Sequence, residues 1–410
     1  MSAEVTASPR RFIGLDIHKF YAIACGVDPQ RQPVLGPQRI SMLQLGEWSR
    51  QHLTREDAVV LEVTTNGWQV YDDLLPYVHS VTLVHPPHLA LITRAQVMTD
   101  SIAALTLARL HAAGLIPPVW VPPPAVRDAR ALVAQRAKMV RLATQAKNRL
   151  HAVLHRHHLE PPDGSLFAPD NRSWWGQLAL SASAQARIQS DLDTLTFART
   201  QLERFERALA EVAAGDERVP LLIQLPGIKL LSAVTILAAI GQIERFPGAA
   251  QLVGYAGLGA RVHASGQVYH TGRLTKAGRR ELRATLVEAA HTAANTHEHW
   301  QAQLARLEPR LGHNKAIVAI ARKLLVSVWH VLSQHGADRF ADPPQVARKL
   351  MRYSYDLGRA HRPEGQTAAQ AVRAYLDRLG LGAELEQMRW GDKTVKLPPS
   401  QQTGAQRTSD

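Results

Sequence analysis

Three carboxylates lie on separate stretches of the chain, in settings where an acidic side chain is unusual. Asp16 interrupts the apolar run 11–17, and Glu62 comes near the end of the apolar run 57–63. Asp100 begins a stretch rich in alanine and leucine. A carboxylate among apolar residues is costly to bury unless it is paired or binds a metal. Mg²⁺ prefers oxygen ligands, keeps several waters and needs few protein carboxylates. The three together therefore predict a site for Mg²⁺ or Mn²⁺.

Each of these residues also has a simpler interpretation. Asp16 could stand at the solvated rim of an ordinary strand. Asp100 follows Thr99, a candidate N-cap, and an anion is favoured in the first turn of a helix. The combination favours the metal site, because one carboxylate on each of two strands and one at a helix start is the distribution expected of a folded metal centre.

The elements that must position these carboxylates form an α/β layer. Residues 11–17 and 21–28 read as a hairpin of two apolar strands, and 57–63 and 78–84 read as further strands with a helix over 68–75 between them. Alternation of strands and helices predicts a sheet that is at least partly parallel. A hairpin with an inward aspartate resembles the start of ribonuclease-H-like nucleases. Actin-like ATPases begin similarly, but no second glycine-rich phosphate loop follows.

Positive charge is concentrated outside this strand-rich part. The 410 residues carry a net charge of +13, from 48 Lys and Arg against 35 Asp and Glu. Residues 111–165 hold 8 basic and 3 acidic side chains, and residues 216–340 hold 15 and 8. Such local excess predicts a nucleic-acid partner, whose phosphates supply much of the binding energy. A stiff proline-rich connector, 117–124, precedes a long helix predicted over 125–158. The basic residues of this helix are Arg127, Arg130, Arg136, Lys138, Arg141, Lys147, Arg149 and Arg156.

Composition also excludes several classes of protein. The single cysteine, Cys25, rules out an internal disulfide and a cysteine-based zinc site, and it fits a reducing compartment. We identify no apolar run as long as a membrane span. We therefore expect a soluble, cytoplasmic protein without a membrane partner.

The C-terminal part is predicted to be mainly helical. Apolar residues from 188 to 212 recur in alternating steps of four and three, a heptad seam that packs either within the chain against 174–186 or in a dimer. Residues 225–240 have the form of a helix-hairpin-helix. A polar loop is predicted over 261–276, with helices at 278–297 and 314–335. We expect residues 1–9 and the end of the tail, after Lys396, to be disordered.

The ordered set of motifs resembles the bridge-RNA-guided DEDD transposases, or recombinases, of the one-ten insertion-sequence family, over roughly residues 11–335. The segments that carry the resemblance are GLD at 14–16, LEVTTNG at 61–67, TDSIAALTLA at 99–108, LPGI at 225–228, YAGL at 255–258, HASG at 263–266 and RLTKAG at 273–278.

The resemblance implies a RuvC-like (ribonuclease-H-like) N-terminal domain, a coiled-coil arm and a C-terminal transposase domain with a nucleophilic serine. The corresponding predicted limits are 10–165, which includes the basic helix, then 174–214 and 216–340, followed by an extension over 341–410. By position, Asp16, Glu62 and Asp100 match the first three carboxylates, and Ser265 matches the serine. The fourth carboxylate falls at Ala103, which predicts impaired catalysis. Because the other motifs are whole, this residue favours a deliberate substitution over natural decay.

The family also implies a structured bridge RNA, double-stranded target and donor DNA, and a dimer or tetramer whose sites combine domains from different subunits. Residues assigned to nucleic-acid contacts in the C-terminal part are Lys229, Arg261, Arg273, Lys276, Arg279 and Arg280, of which Arg273 and Lys276 would steady the phosphate at the serine. The predicted function is RNA-guided recombination through a phosphoserine. The alternatives are a RuvC-like nuclease that uses water and metal, and an inactive relic that binds RNA and DNA.

Overall fold

A computed structural model describes residues 8–87, 99–265, 268–362 and 365–401. The chain divides into two compact units, Met1–Pro122 and Pro123–Asp410. The first is a mixed α/β unit, and the second is mostly helical, as the sequence predicted. The predicted disordered leader falls largely outside the described residues.

The first unit is built on a six-stranded sheet with the order β3-β2-β1-β4-β5-β6. The strands are β1 (Arg11–Ile17), β2 (Tyr21–Val27), β3 (Pro33–Ser41), β4 (Asp57–Glu62), β5 (Ser80–Val84) and β6 (Pro118–Val119). β1, β2 and β3 pair antiparallel, whereas β1, β4 and β5 pair parallel. The predicted hairpin and the partly parallel sheet are therefore confirmed. β3 and β6 were not predicted.

Three described helices accompany this sheet: α1 (Leu45–His52), α2 (Gly67–Leu74) and α3 (Asp100–Ala112). Helix α1 was not predicted, while α2 and α3 match predicted helices. The N-cap assignment is confirmed, because the Thr99 side chain accepts a hydrogen bond from the Ile102 amide at 3.3 Å.

Helix α3 lies directly against strand β1, and Gly14 permits this close approach. A Cβ atom added at Gly14 would stand 2.0 Å from the Ala104 carbonyl oxygen and 2.7 Å from the Ala108 amide nitrogen. The contact is backbone to backbone, so no side chain can move aside to relieve it. Gly14 therefore sets the distance between the strand that carries Asp16 and the helix that begins at Asp100.

We expect Gly14→Ala to destabilise the first unit by about 3 kcal/mol or more, because overpacking against backbone cannot relax by a rotamer change. Gly36→Ala is the matched control, since Gly36 lies on β3 and a Cβ there meets nothing within 4 Å. Urea unfolding of both variants measures the difference. Equal stability of the two would contradict the close approach of α3 to β1.

The second unit contains eleven described helices and two hairpins. The helices are α4 (Pro124–His157), α5 (Arg172–Gly176), α6 (Ala182–Ala214), α7 (Arg218–Ile223), α8 (Leu230–Ile240), α9 (Ala249–Tyr255), α10 (Arg280–Thr296), α11 (Glu298–Leu311), α12 (His313–Gln334), α13 (Pro343–Leu357) and α14 (Ala368–Leu379). The hairpins are β7 (Ala260–Ser265) with β8 (Val268–Leu274), and β9 (Gln387–Trp390) with β10 (Lys393–Lys396). The long basic helix, the seam helix and both predicted C-terminal helices are present.

The heptad seam of α6 packs mainly along the basic helix α4, whereas we had predicted either packing against residues 174–186 or a dimer contact. Leu195 and Ala198 of α6 share one apolar cluster with Ala143 and Ala146 of α4. Nearer the other end, Ile188 packs in a second cluster with Leu150 and Leu154 of α4 and with Trp175, so the predicted segment 174–186 covers this part of the seam. The basic helix belongs to the second compact unit, whereas we had assigned it to the N-terminal domain. The predicted domain limits themselves stay a prediction.

Helix α12 corrects the expectation about apolar segments. It is long and apolar enough to cross a membrane by length and composition alone. Ten of its residues are nevertheless buried within the helical core, including Leu324, Leu325 and Val328. The apolar sequence of α12 is therefore explained by its position at the centre of the second unit.

Two other expectations for the C-terminal part were wrong. Residues 260–265 and 268–274 pair as the strands β7 and β8, where we had predicted a polar loop. Their described side chains are largely exposed, Val262 among them, so they form no buried face. The segment after Lys396 is ordered through residue 401: Leu397 is buried, and the Pro398 carbonyl accepts a hydrogen bond from Arg373 Nε at 2.8 Å. Residues 402–410 lie outside the described part.

Candidate metal and nucleic-acid sites

The first unit brings Asp16, His18 and Asp100 together. One ligand atom from each lies within 4.8 Å of the others. His18 Nε2 is 3.4 Å from Asp16 Oδ2 and 3.2 Å from Asp100 Oδ2. This nitrogen is buried and makes no hydrogen bond among the described residues. Two carboxylates thus converge on one point that a cation could occupy, which fits the predicted divalent metal.

Glu62 joins this group from the neighbouring strand, although it lies outside the 4.8 Å cluster. Leu15 pairs with Leu61 on the parallel strands β1 and β4, so Asp16 and Glu62 occupy the next position on each strand. Residues at matching positions of neighbouring strands point to the same face and are about 5 Å apart. Asp16 contributes to raising the pKa of Glu62, which agrees with this proximity.

Tyr21 and Asn66 hold Asp100 and the loop of His18 in place. The Tyr21 hydroxyl donates a hydrogen bond to Asp100 Oδ2 at 3.0 Å, and the Tyr21 ring stacks on His18 with 4.5 Å between ring centroids. Asn66 Nδ2 donates to the His18 carbonyl oxygen at 3.4 Å. The TTNG turn that follows β4 therefore helps to hold the loop that carries His18.

Ala103 lies one helical turn after Asp100, and residues three apart share one face of a helix. Its amide donates to the Thr99 carbonyl oxygen at 2.8 Å, as a regular first turn requires. Ala103 is half-buried. The helix is thus intact at this position, and what the chain lacks there is a carboxylate.

The pKa values of Asp16 and Glu62 are both raised, as expected for carboxylates that are brought together without a cation. Burial raises the pKa of Asp16; the nearby His18 opposes this rise, and Asp100 adds to it. Burial is also the main cause of the raised pKa of Glu62. Metal ligands must be deprotonated to bind, so protons compete with a metal here at a higher pH than at an exposed carboxylate.

Sequence reasoning missed His18 and Tyr21 at this centre. His18 follows Asp16 by two residues at the end of a strand, where alternate residues share a face. That spacing could have identified it. The position of Tyr21 follows only from the pairing of β1 with β2.

Ser265 is the last residue of β7, and its side chain is exposed. It pairs with Val268, so it stands at the tip of the hairpin, while Ala260 pairs with Leu274 at the base. Arg273 lies five residues beyond Val268, which at the rise of a strand is about 17 Å. The hairpin therefore does not bring Arg273 or Lys276 to the serine of the same chain.

The basic residues assigned to nucleic-acid contacts fall into two groups. Arg136 pairs with Glu206 at 2.7 Å, and Arg149 pairs with Asp191 at 2.7 Å, so both help to fasten α4 to α6. By contrast, several side chains are exposed and make no ion pair with a described residue. These are Lys138, Arg141, Arg156, Lys229, Arg261, Arg273, Lys276 and Arg280. The exposed group places eight positive charges on the surface of the second unit; the remaining assigned residues, Arg127 and Lys147, are half-buried.

Arg130 and Arg279 belong to a half-buried cluster at the end of α8. Arg130 donates to the carbonyl oxygens of Ala238 and Ala239 at 2.7 and 2.9 Å. Arg279 Nε donates to the Tyr255 hydroxyl at 2.9 Å. Burial, followed by the charge of Arg279, lowers the pKa of Arg130 to about 10. Arg130 therefore stabilises the C-terminal end of α8, where cations are favoured, and Arg279 holds the Tyr255 hydroxyl.

The predicted helix-hairpin-helix is present as α7, a turn and α8. Gly227 has a φ of +76°, and a Cβ there would stand 2.1 Å from the Ala289 carbonyl oxygen. The Lys229 amide is capped by Ser232 Oγ at 2.7 Å, so it is not available to a phosphate. Any phosphate contact at this turn would therefore involve the exposed Lys229 side chain.

Comparison with known proteins identifies the family. Residues 13–159 match the family model DEDD_Tnp_IS110, described as a transposase, and residues 219–305 match the model described as Transposase IS116/IS110/IS902 family. The two matches contain the carboxylates and the serine, respectively.

Named relatives agree with these matches. The chain is 23% identical over 337 residues to a transposase for insertion sequence element IS1111A of Coxiella burnetii, an alignment that covers 79% of this chain and 90% of the relative. It is 24% identical over 337 residues to the pilin gene-inverting protein of Moraxella bovis, covering 80% of this chain and 97% of the relative. With both family models matched in order, the chain belongs to the IS110 family of transposases.

Proposed function

We propose that this protein is an RNA-guided DNA recombinase that cuts and rejoins strands through a phosphoserine, with Mg²⁺ or Mn²⁺ at a RuvC-like site. The observation that supports the proposal best is the convergence of Asp16 and Asp100, with Glu62 on the adjacent strand. The three antiparallel strands followed by two parallel ones, with carboxylates on β1 and β4, fit the proposed RuvC-like domain.

Asp16, Glu62 and Asp100 would hold the metal. When bound, it would neutralise charge that develops on the phosphate oxygens. The chain's own contribution is to hold these carboxylates in position, through the hydrogen bond from the Tyr21 hydroxyl to Asp100 and the close packing at Gly14. Without a carboxylate at Ala103, catalysis by this chain would be weak while its fold remains whole.

Ser265 would supply the nucleophile. Its oxygen attacks a DNA phosphorus, a serine–phosphorus bond forms, and one sugar oxygen leaves and takes a proton. In the second step, a sugar hydroxyl of another strand attacks the phosphorus of the phosphoserine. The serine oxygen then leaves and takes up the proton of that hydroxyl. No oxidant or other reactant is consumed. The exposed position of Ser265 at a hairpin tip supports this role, because a strand of DNA can reach it.

A metal-dependent nuclease is the second candidate, favoured by the fact that Asp16 and Asp100 come together without any contribution from Ser265. Denaturing electrophoresis of labelled DNA distinguishes the two in the Ala103→Asp background. The recombinase leaves DNA covalently attached to protein, whereas the nuclease leaves only free fragments. Free fragments without any adduct would overturn the phosphoserine proposal.

A homo-oligomer, dimer or tetramer, is part of the proposal. Both units carry reacting groups, the carboxylates in one and Ser265 in the other. A site that combines the two units of different subunits would require assembly. Mixing a Ser265→Ala chain with an Asp16→Asn chain, both in the Ala103→Asp background, would then restore partial activity. No restoration would argue against such shared sites.

We expect a structured RNA to co-purify with the protein and to bind through the exposed basic residues of α4 and the C-terminal unit. Binding of phosphates releases counterions, so affinity should fall by about 10³-fold or more between 50 and 200 mM salt if roughly six phosphates are contacted. Filter binding at graded salt measures the slope. The variant Lys138→Ala with Arg141→Ala should reduce the slope, whereas Arg136→Ala, which breaks an internal ion pair, serves as the control. An affinity that is independent of salt would remove the electrostatic basis of the proposal.

A further inference from the structure

A cavity of about 420 Å³ lies on the second unit, between α11, α12 and the loop 336–341, and away from every residue assigned above. Ligand pockets of roughly 300–1,000 Å³ take small molecules or single building blocks. Its lining combines aromatic and basic side chains: His299, Trp300, Lys323, His330, Arg339 and Phe340. Asp338 is the one carboxylate in that lining.

The aromatic part of the cavity is fixed in place. The His299 ring stacks on the Phe340 ring, with 3.6 Å between centroids and 16° between planes. His297 Nε2 lies 3.1 Å from the Phe340 carbonyl oxygen. Gln224 holds the same loop from the other side, because its side chain accepts from the Asp338 amide at 2.8 Å. The Asp338 carboxylate accepts a hydrogen bond from the Phe340 amide at 3.1 Å. The one acidic group in the lining is therefore already hydrogen-bonded within its own loop.

The cationic part has no carboxylate partner among the described residues. Lys323 Nζ donates to Gln303 Oε1, and Arg306 Nη2 donates to the same oxygen at 2.9 Å. The Arg339 guanidinium stands 4.5 Å from the centre of the Phe340 ring. Burial lowers the pKa of Lys323, and Arg306 and Arg339 lower it further. An anion beside these three cations would relieve their mutual repulsion.

Trp300 adds a buried aromatic ring to the lining of the cavity. Trp300 is only 2% exposed, and its indole Nε1 is buried with no acceptor among the described residues. Because this nitrogen is inaccessible to solvent, it takes no part in ligand binding.

We infer that this cavity binds one unpaired nucleotide of a single-stranded nucleic acid, with its base against the His299–Phe340 stack and its phosphate beside Lys323 and Arg339. Bases of single strands bind by stacking on aromatic side chains together with basic groups that follow the backbone. A base in a duplex is already stacked and paired, so it cannot enter such a pocket without being extruded. The inference rests on the proposed function, since it names an unpaired stretch of the nucleic acid that the recombinase handles.

The experiment is photocrosslinking of a single-stranded RNA that contains 4-thiouridine to the full-length protein, followed by peptide mapping. The cavity predicts crosslinks to the peptides that contain His299–Trp300 and Arg339–Phe340. The same sequence annealed as a duplex should crosslink at least tenfold less. A matching DNA strand with 4-thiothymidine shows whether the sugar matters, and crosslinking of either strand at these peptides supports the site. Crosslinks confined to other peptides, or equal crosslinking by the duplex, would overturn it.

Substitutions give an independent readout by fluorescence anisotropy with the same strand. Arg339→Ala, at an exposed position, and His299→Ala should each weaken binding about tenfold, in line with the energy of a single stacked base or phosphate contact. Arg322→Ala is the control, because Arg322 is exposed on the same helix as Lys323 but does not line the cavity. Circular dichroism checks that each variant is folded. Unchanged affinity in both folded variants would refute the site. That result would not bear on the proposed function, because DNA cleavage by the carboxylate centre is measured separately.

Discussion

The Ala103→Asp variant should cleave DNA strands roughly 10³-fold faster than the chain with alanine, in the presence of Mg²⁺. The added carboxylate stands one turn from Asp100 on the same helical face, where it can complete the ligand set. A correctly held metal supplies several kcal/mol of transition-state stabilisation, and each 1.36 kcal/mol is a factor of ten in rate. Cleavage of an end-labelled substrate with the co-purified RNA measures the effect.

Ile102→Asp is the matched control for this prediction. It adds the same charge one residue away, at a position that is 41% exposed and turned to another face of α3. It should leave cleavage unchanged. RNA and DNA affinity should hardly differ among the three proteins. If Ala103→Asp gives no more cleavage than Ile102→Asp, residue 103 is not a ligand position.

Replacement of Ser265 should abolish the covalent protein–DNA adduct. In the Ala103→Asp background, Ser265→Ala removes one exposed hydroxyl at the tip of the β7–β8 hairpin. Stability should change by less than about 0.5 kcal/mol, as is usual for surface substitutions. RNA binding should be unaffected. Denaturing electrophoresis of labelled DNA shows the adduct as a band that protease treatment removes.

Ser190→Ala is the control here, since Ser190 is an exposed serine on α6 outside the hairpin. It should leave the adduct intact. An adduct that persists in Ser265→Ala and maps to another side chain would refute the assignment of the nucleophile.

Much of the carboxylate centre could be predicted because its parts have strong local signals. An aspartate in an apolar run, a glutamate at the end of a second run and a capped helix start are each visible in the sequence. Thr99 confirms the helix start through its hydrogen bond to the Ile102 amide. Gly14 gave no such signal, because its role depends on the backbone of α3, more than 80 residues away.

The helical unit shows where local patterns stop being informative. The heptad seam of α6 predicted a packed face correctly, but a seam does not specify its partner, which proved to be α4. The β7–β8 hairpin was missed because its exposed strands lack a buried face. Similarly, no packed element was predicted in the extension 341–410, although Leu350 and Met351 of α13 are buried in the core.

Charge patterns predicted a nucleic-acid partner but overestimated how many basic residues are available. Arg136 and Arg149 are used in ion pairs between α4 and α6. Arg130 stabilises the end of α8. Which basic residues face outward depends on tertiary contacts, so sequence alone could identify the helix but not its contact surface.

The most direct test of the carboxylate centre is Mn²⁺ binding, followed by electron paramagnetic resonance of the free ion. The chain with Ala103 should bind Mn²⁺ weakly through Asp16, Glu62 and Asp100, and Asp16→Asn should abolish this binding. The Ala103→Asp variant should bind Mn²⁺ at least tenfold more tightly, because it regains a carboxylate, whereas Ile102→Asp should not. The same Mn²⁺ affinity in all four proteins would contradict the existence of a metal centre at these residues.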